Sequence, residues 1–144
     1  MPQAARHLLC TLAINMFAKF RQWLTAKKPR PLSDWFLVTF DEEAVFLKVS
    51  PPFRQSWEAS FLWSSVTRVC FKDEGLNASD GIYVFTSLRP ESFVIPTQAN
   101  GGDAFFGKLV GKGLFPHDLM LQAMTSTDGG FYCWPAIEEE VSHG

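Results

Sequence analysis

The hydrophobic period of this chain changes once, at Pro29-Arg30-Pro31, and that change limits what it can fold into. Upstream, Ala4 to Lys28 contains neither Gly nor Pro, and Pro29 and Pro31 then stop any helix. At about 100° per residue, Leu9, Leu12, Ala13, Met16, Phe17, Phe20, Trp23 and Leu24 share one broad face. Thr11, Asn15, Lys19 and Gln22 occupy the opposite arc, which is the pattern of an amphipathic helix. Downstream, apolar residues alternate with polar ones, which is the pattern of strands.

The alternation predicts six strands: Trp35–Phe40, Ala44–Val49, Ser56–Leu62, Val66–Phe71, Ile82–Thr86 and Ser92–Ile95. Turn residues separate them, namely Asp41-Glu42-Glu43, Ser50-Pro51-Pro52, Trp63-Ser64-Ser65, an acidic loop over 72–81 and Leu88-Arg89-Pro90. A helix is then expected from a capping Asp103 through Lys112, with Phe105, Phe106, Leu109 and Val110 inward and Gly113 ending it. Pro116–Met124 fits a second short helix, and Phe131–Trp134 a last extended piece.

Strands at hairpin spacing followed by a helix make an α+β protein. The expected architecture is an antiparallel six- to seven-stranded sheet or partial barrel closed by a C-terminal helix, preceded by the N-terminal amphipathic helix. Residues 1–30 are then a leader and linker, and 31–144 a single domain. Hydrophobic residues are 47% of the chain, with 14 Phe and 5 Trp, enough to fill one core and to exclude disorder.

Trp63-x-x-Val66-x-x-Val69 entering a strand, the strand Asp80–Thr86, Phe93-x-Ile95-Pro96 and a helix after Gly101-Gly102 resemble bacterial pleckstrin-homology-like domains. The segment Trp63–Trp134 also resembles small uncharacterised bacterial proteins that end in Ala-x-x-Ser-x-x-x-x-Phe-x-x-Trp, here Ala123, Ser126, Phe131 and Trp134. The likeness covers about half the chain, rests on structural motifs, and brings no catalytic residues with it.

The net charge is −2, but its distribution is uneven. Arg6, Lys19, Arg21, Lys27, Lys28 and Arg30 give the first 30 residues +6 with no acid, which leaves −8 on residues 31–144. The body therefore opposes nucleic acid, whereas the leader seeks an anionic surface or folds back on an acidic one. A bilayer-spanning helix fits poorly, because Leu8–Ala18 is only 11 residues long and contains Thr11 and Asn15. A secretory signal fits somewhat better, with an n-region, a short apolar stretch and Ala18, but Lys19-Phe20-Arg21 stands where a small-residue cleavage site belongs, and no small residue precedes Cys10 as in a lipoprotein. An acid-free amphipathic start also resembles an organelle transit peptide. As a retained helix, the leader would contact the domain, a second subunit or a membrane through Leu9, Leu12, Met16, Phe20, Trp23, Lys27 and Lys28, and exchange of that helix would make a homodimer.

Chemistry-bearing motifs are sparse. Gly102-Asp103-Ala104-Phe105-Phe106-Gly107-Lys108 has the spacing of a phosphate-cradling loop, yet Leu109 replaces the Mg²⁺-binding hydroxyl and two Phe fill the cradle. His7, His117 and His143 show no metal-ligand spacing, and His117-Asp118 reads as a helix start. Cys10, Cys70 and Cys133 are odd in number and far apart, so no disulfide framework follows; Cys70 and Cys133 read as small buried hydrophobes in strands. Asp73, Glu74 and Asp80 lack a calcium-loop pattern and read as an acidic contact surface for a basic partner.

The expected function is therefore non-enzymatic binding to another protein, with no cofactor or metal. A concrete version is an immunity-type or regulatory protein whose acidic face blocks a toxin or effector. The alternative is a peripheral membrane protein attached to an anionic surface by the leader. The expected location is cytoplasmic, or peripheral at the inner membrane.

Overall fold

The computed structural model describes residues 30–74 and 79–137. The leader contacts expected at Leu9, Leu12, Met16, Phe20, Trp23, Lys27 and Lys28 lie outside the described residues, as do residues 75–78 and Glu138-Glu139-Glu140.

A 3-10 turn, Leu32–Asp34, leads into β1 (Phe36–Phe40) and β2 (Ala44–Val49). The turn between them is made by Asp41, whose Oδ1 accepts the backbone N–H groups of Glu43 and Ala44, both at 2.8 Å. Those two donors, Ala44 first, hold the Asp41 carboxyl below the usual carboxylate range. β3 (Trp57–Leu62) follows and pairs antiparallel with β2, Val45 opposite Phe61 and Val49 opposite Trp57.

The strands do not continue as the expected single sheet. A corner at Trp63–Ser65 passes the chain into a second sheet. There the buried Trp63 donates its indole N–H to the Asp41 carbonyl at 2.8 Å and its backbone N–H to Glu43 O at 3.0 Å. Ser65 donates its hydroxyl to Leu62 O at 2.6 Å, and its own carbonyl accepts the Ser87 N–H. The second sheet contains β4 (Val66–Lys72), β5 (Gly81–Thr86), β6 (Arg89–Pro96) and β7 (Phe131–Trp134). Its order is β6-β5-β4-β7, against β1-β2-β3 in the first; every pairing is antiparallel and neither sheet closes.

Two helices follow β6: α1 (Gly102–Gly111) and α2 (His117–Thr125). Gly113, at φ 75°, ends the first as its sequence position predicts. One expectation at the helix starts is corrected. Gly101, not Asp103, occupies the N-cap, in the left-handed region and without a side-chain cap, because the chain there lies against the Val38 carbonyl. Asp103 is an exposed first-turn acid that complements the helix dipole. At α2 the N-cap is Pro116, and exposed His117 and Asp118 open the helix. The helices are not the end of the fold either, since β7 returns to pair with β4.

The core lies between the inner sheet faces and α1. Val38, Val45, Leu47 and Phe61 meet Val69, Phe71, Ile82, Val84, Phe93 and Ile95, with Phe105, Phe106, Leu109 and Phe115 filling the remainder. Its aromatic rings interlock: Phe61–Phe93 at 4.8 Å, Phe71 stacked on Phe106 at 5.4 Å and Trp63 stacked on Phe105 at 5.7 Å. Among the described residues no helix is long and apolar enough to cross a membrane.

Candidate functional site

The inner face of the four-stranded sheet is spent on the core, which leaves its outer face for interaction. The register places Val94 of β6, Tyr83 of β5, Cys70 of β4 and Cys133 of β7 in one row across all four strands. Val94 is 43% exposed, Tyr83 and Cys133 are half-buried, and Cys70 is fully covered. Beside this row stands Phe131, 49% exposed, with its ring edge-on to Tyr83 at 5.9 Å. Arg68 flanks the other side and donates to the carbonyls of Pro135 at 2.9 Å and Ala136 at 3.5 Å, which tethers the chain after β7.

Cys70 and Cys133 are not two separate buried hydrophobes. They form a disulfide between directly opposed residues of β4 and β7, their Cα atoms 4.0 Å apart. Sequence distance concealed this: 63 residues separate the two, and only the return of β7 to β4 brings them together.

At the end of the sheet where Phe131 lies, carboxylates gather, though not as the sequence pattern implies. Asp73 is 4% exposed, so it presents no charge to a partner. Its Oδ2 accepts the Gly129 N–H at 3.2 Å and its own N–H donates to Gly130 O at 3.0 Å, fastening the entrance of β7 to the exit of β4. Asp80 is half-buried; its Oδ1 accepts the Glu74 N–H at 3.0 Å and its carbonyl accepts the Thr97 N–H at 2.9 Å. Glu74 is exposed, and so is Asp128, which lies far in sequence from the acidic loop over 72–81. The Ser126 hydroxyl at 2.6 Å and the Gly130 N–H at 2.9 Å hold Asp128 below the usual carboxylate range. The lip of the face is thus Glu74, Asp80 and Asp128 beside Phe131, with Lys72 opposite Phe131 in the same row.

Asp80 is displaced the other way. Desolvation is the largest cause, followed among the raising contributions by the charge and hydrogen bond of Asp73, so Asp80 holds a proton more readily when folded. A group with a raised folded pKa contributes stability below its unfolded pKa and loses it as pH rises through the folded value. Asp80→Asn keeps an acceptor for Glu74 and removes the repulsion. The variant should match wild type near pH 3 and exceed it at pH 7 by less than about 1 kcal/mol, given the exposure of the site. Chemical denaturation at both pH values checks this, and a variant less stable at pH 7 would refute it.

Other sequence candidates separate from this face. The Gly102–Lys108 spacing lies within α1 and not in a loop, and Lys108 pairs with Glu42 at 3.2 Å. A depression of about 350 Å³ on the outer face of the first sheet is lined by Leu37, Thr39, Phe46, Lys48, Glu58 and Ser60. Among the described residues, no three His, Cys, Asp or Glu side chains group so as to hold a metal ion. The alternation in Phe131–Trp134 was the available signal for Phe131, but only tertiary pairing reveals which face it joins. No protein family, curated protein or solved structure matches the chain.

Proposed function

We propose that this chain is a non-enzymatic protein-binding module with a pleckstrin-homology-like arrangement of strands, holding a basic segment of a partner against the outer face of its four-stranded sheet. The observation that carries the reading is Phe131, half exposed beside Tyr83 and rimmed by Glu74, Asp80 and Asp128. An apolar anchor with a charged rim is how protein interfaces concentrate affinity and steer encounter. The two antiparallel sheets and helix α1 support the fold reading. In its immunity-type or regulatory form, the face covers the basic working surface of a toxin or effector. The Cys70–Cys133 bond favours an oxidising compartment over the expected cytoplasmic location.

The test is affinity capture with wild type, Phe131→Asp and Glu74→Lys as baits. All three should fold alike, because both side chains are exposed. The expected result is a basic partner recovered by wild type, lost by both variants, and bound more slowly as salt rises. Identical recovery with all three baits would end the reading.

A further inference from the structure

Phe53 is the most exposed large apolar residue among those described, at 104% of its reference area, and it has φ 61°. Both properties oppose folding. A bulky L-residue in the left-handed region is strained, and a ring packed against nothing recovers none of that cost. The loop nevertheless holds Phe53 firmly. Pro51 and Pro52 fix two successive backbone angles, Ser50 donates its N–H to Trp35 O at 2.8 Å, and Arg54 donates its N–H to Pro51 O at 3.4 Å. Behind the tip, Trp57 is 45% exposed and packs edge-on to Phe36 at 6.2 Å, and Phe36 in turn lies 6.2 Å from Trp35.

We infer that the β2–β3 loop is a membrane-insertion tip, with Phe53 entering the interface of an anionic bilayer and Arg54 meeting lipid phosphate. Charge selects this occupant: Lys48 is matched by Glu58 directly across the ladder, but the tip itself, residues 50–57, carries Arg54 and no carboxylate, within a body that totals −8. Shape selects it too. Phe53 packs against none of its neighbours, half-exposed Pro51 and Pro52 or polar Arg54, Gln55 and Ser56, so the tip offers no broad rim of contact of the area that a stable protein interface buries. A bilayer needs no rim, because it closes around whatever protrudes, and Trp57 then sits at headgroup depth.

The full chain is sedimented with vesicles of phosphatidylcholine and phosphatidylglycerol in equal parts, as wild type, Phe53→Asn and Arg54→Glu. Asn tolerates the left-handed backbone, so Phe53→Asn keeps the loop and removes only the ring. It should melt at or above the wild-type temperature while vesicle partitioning falls about tenfold or more. Arg54→Glu should fall about tenfold, through its charge. Vesicle binding by Phe53→Asn equal to wild type would place attachment elsewhere in the chain and overturn the inference. So would a wild-type chain that leaves the vesicles unbound, in which case the ring faces a protein.

Discussion

Reduction of the Cys70–Cys133 bond should lower the stability of the domain by about 4 kcal/mol, the loop-closure value for a cross-link spanning 63 residues. The bond closes a long loop, joining β4 to a strand that follows both helices. β7 is a four-residue edge strand; besides the ladder with β4, it is linked to the sheet by the Asp73 hydrogen bonds to Gly129 and Gly130, the Arg68 tether to Pro135 and Ala136, the Phe131–Tyr83 ring contact and partial burial of Tyr132. Without the covalent closure, the unfolded chain regains the freedom of that loop, and the short edge frays first. Thermal melts of oxidised and reduced wild type isolate the bond, because no atom of the core is removed. The midpoint should fall by roughly 15 °C, at about 4 °C per kcal/mol for a domain of this size. Cys70→Ala/Cys133→Ala should reproduce the reduced protein. Midpoints that coincide for oxidised and reduced chains would show that β4 and β7 hold together without the bond.

The same residues show which parts of this fold are legible in sequence. β2 lies where its alternation predicts, Ala44–Val49, and the other strands shift by at most a few residues. Phe105, Phe106 and Leu109 are buried as their helical spacing requires. These properties are local: period, turn residues and a glycine stop. What was not legible depends on pairing across the chain. One sheet becomes two because Trp63 anchors a corner through its indole, and nothing in the order of residues distinguishes that Trp from one in a continuous strand. Asp73 looks like an exposed member of an acidic loop, yet the late arrival of Gly129 and Gly130 buries it. The disulfide depends on the same late pairing. Phe53 is not legible either, because Pro-Pro-Phe in a turn does not reveal that its backbone is left-handed and its ring bare.

Gly101→Ala should cost about 3–4 kcal/mol, against a gain of about 0.5–1 kcal/mol for Gly107→Ala eleven positions after Pro96 in the same segment. Gly101 has φ 86°, and a Cβ there would run into the Val38 carbonyl oxygen. The backbone cannot retreat, since its neighbour Asn100 is fastened to β1 by Val38 N–H to Asn100 O at 2.8 Å and Asn100 N–H to Phe36 O at 2.9 Å. Left-handed strain and the clash therefore add. Gly102 is confined as well, its Cβ position lying 2.5 Å from Thr97 O and 2.8 Å from Pro96 O, both backbone atoms. Gly107, by contrast, has nothing within 4 Å and sits in the interior of α1, where Ala is the better helix former. The two ends of the Gly-x-x-x-x-Gly-Lys spacing thus have opposite requirements: its first glycine is demanded by close packing and its second by nothing in the fold. A phosphate cradle would need both. Equal destabilisation by Gly101→Ala and Gly107→Ala in chemical denaturation would contradict this account; opposite signs, with Gly102→Ala destabilising as Gly101→Ala does, would show that the first glycine of the spacing serves packing at the start of α1.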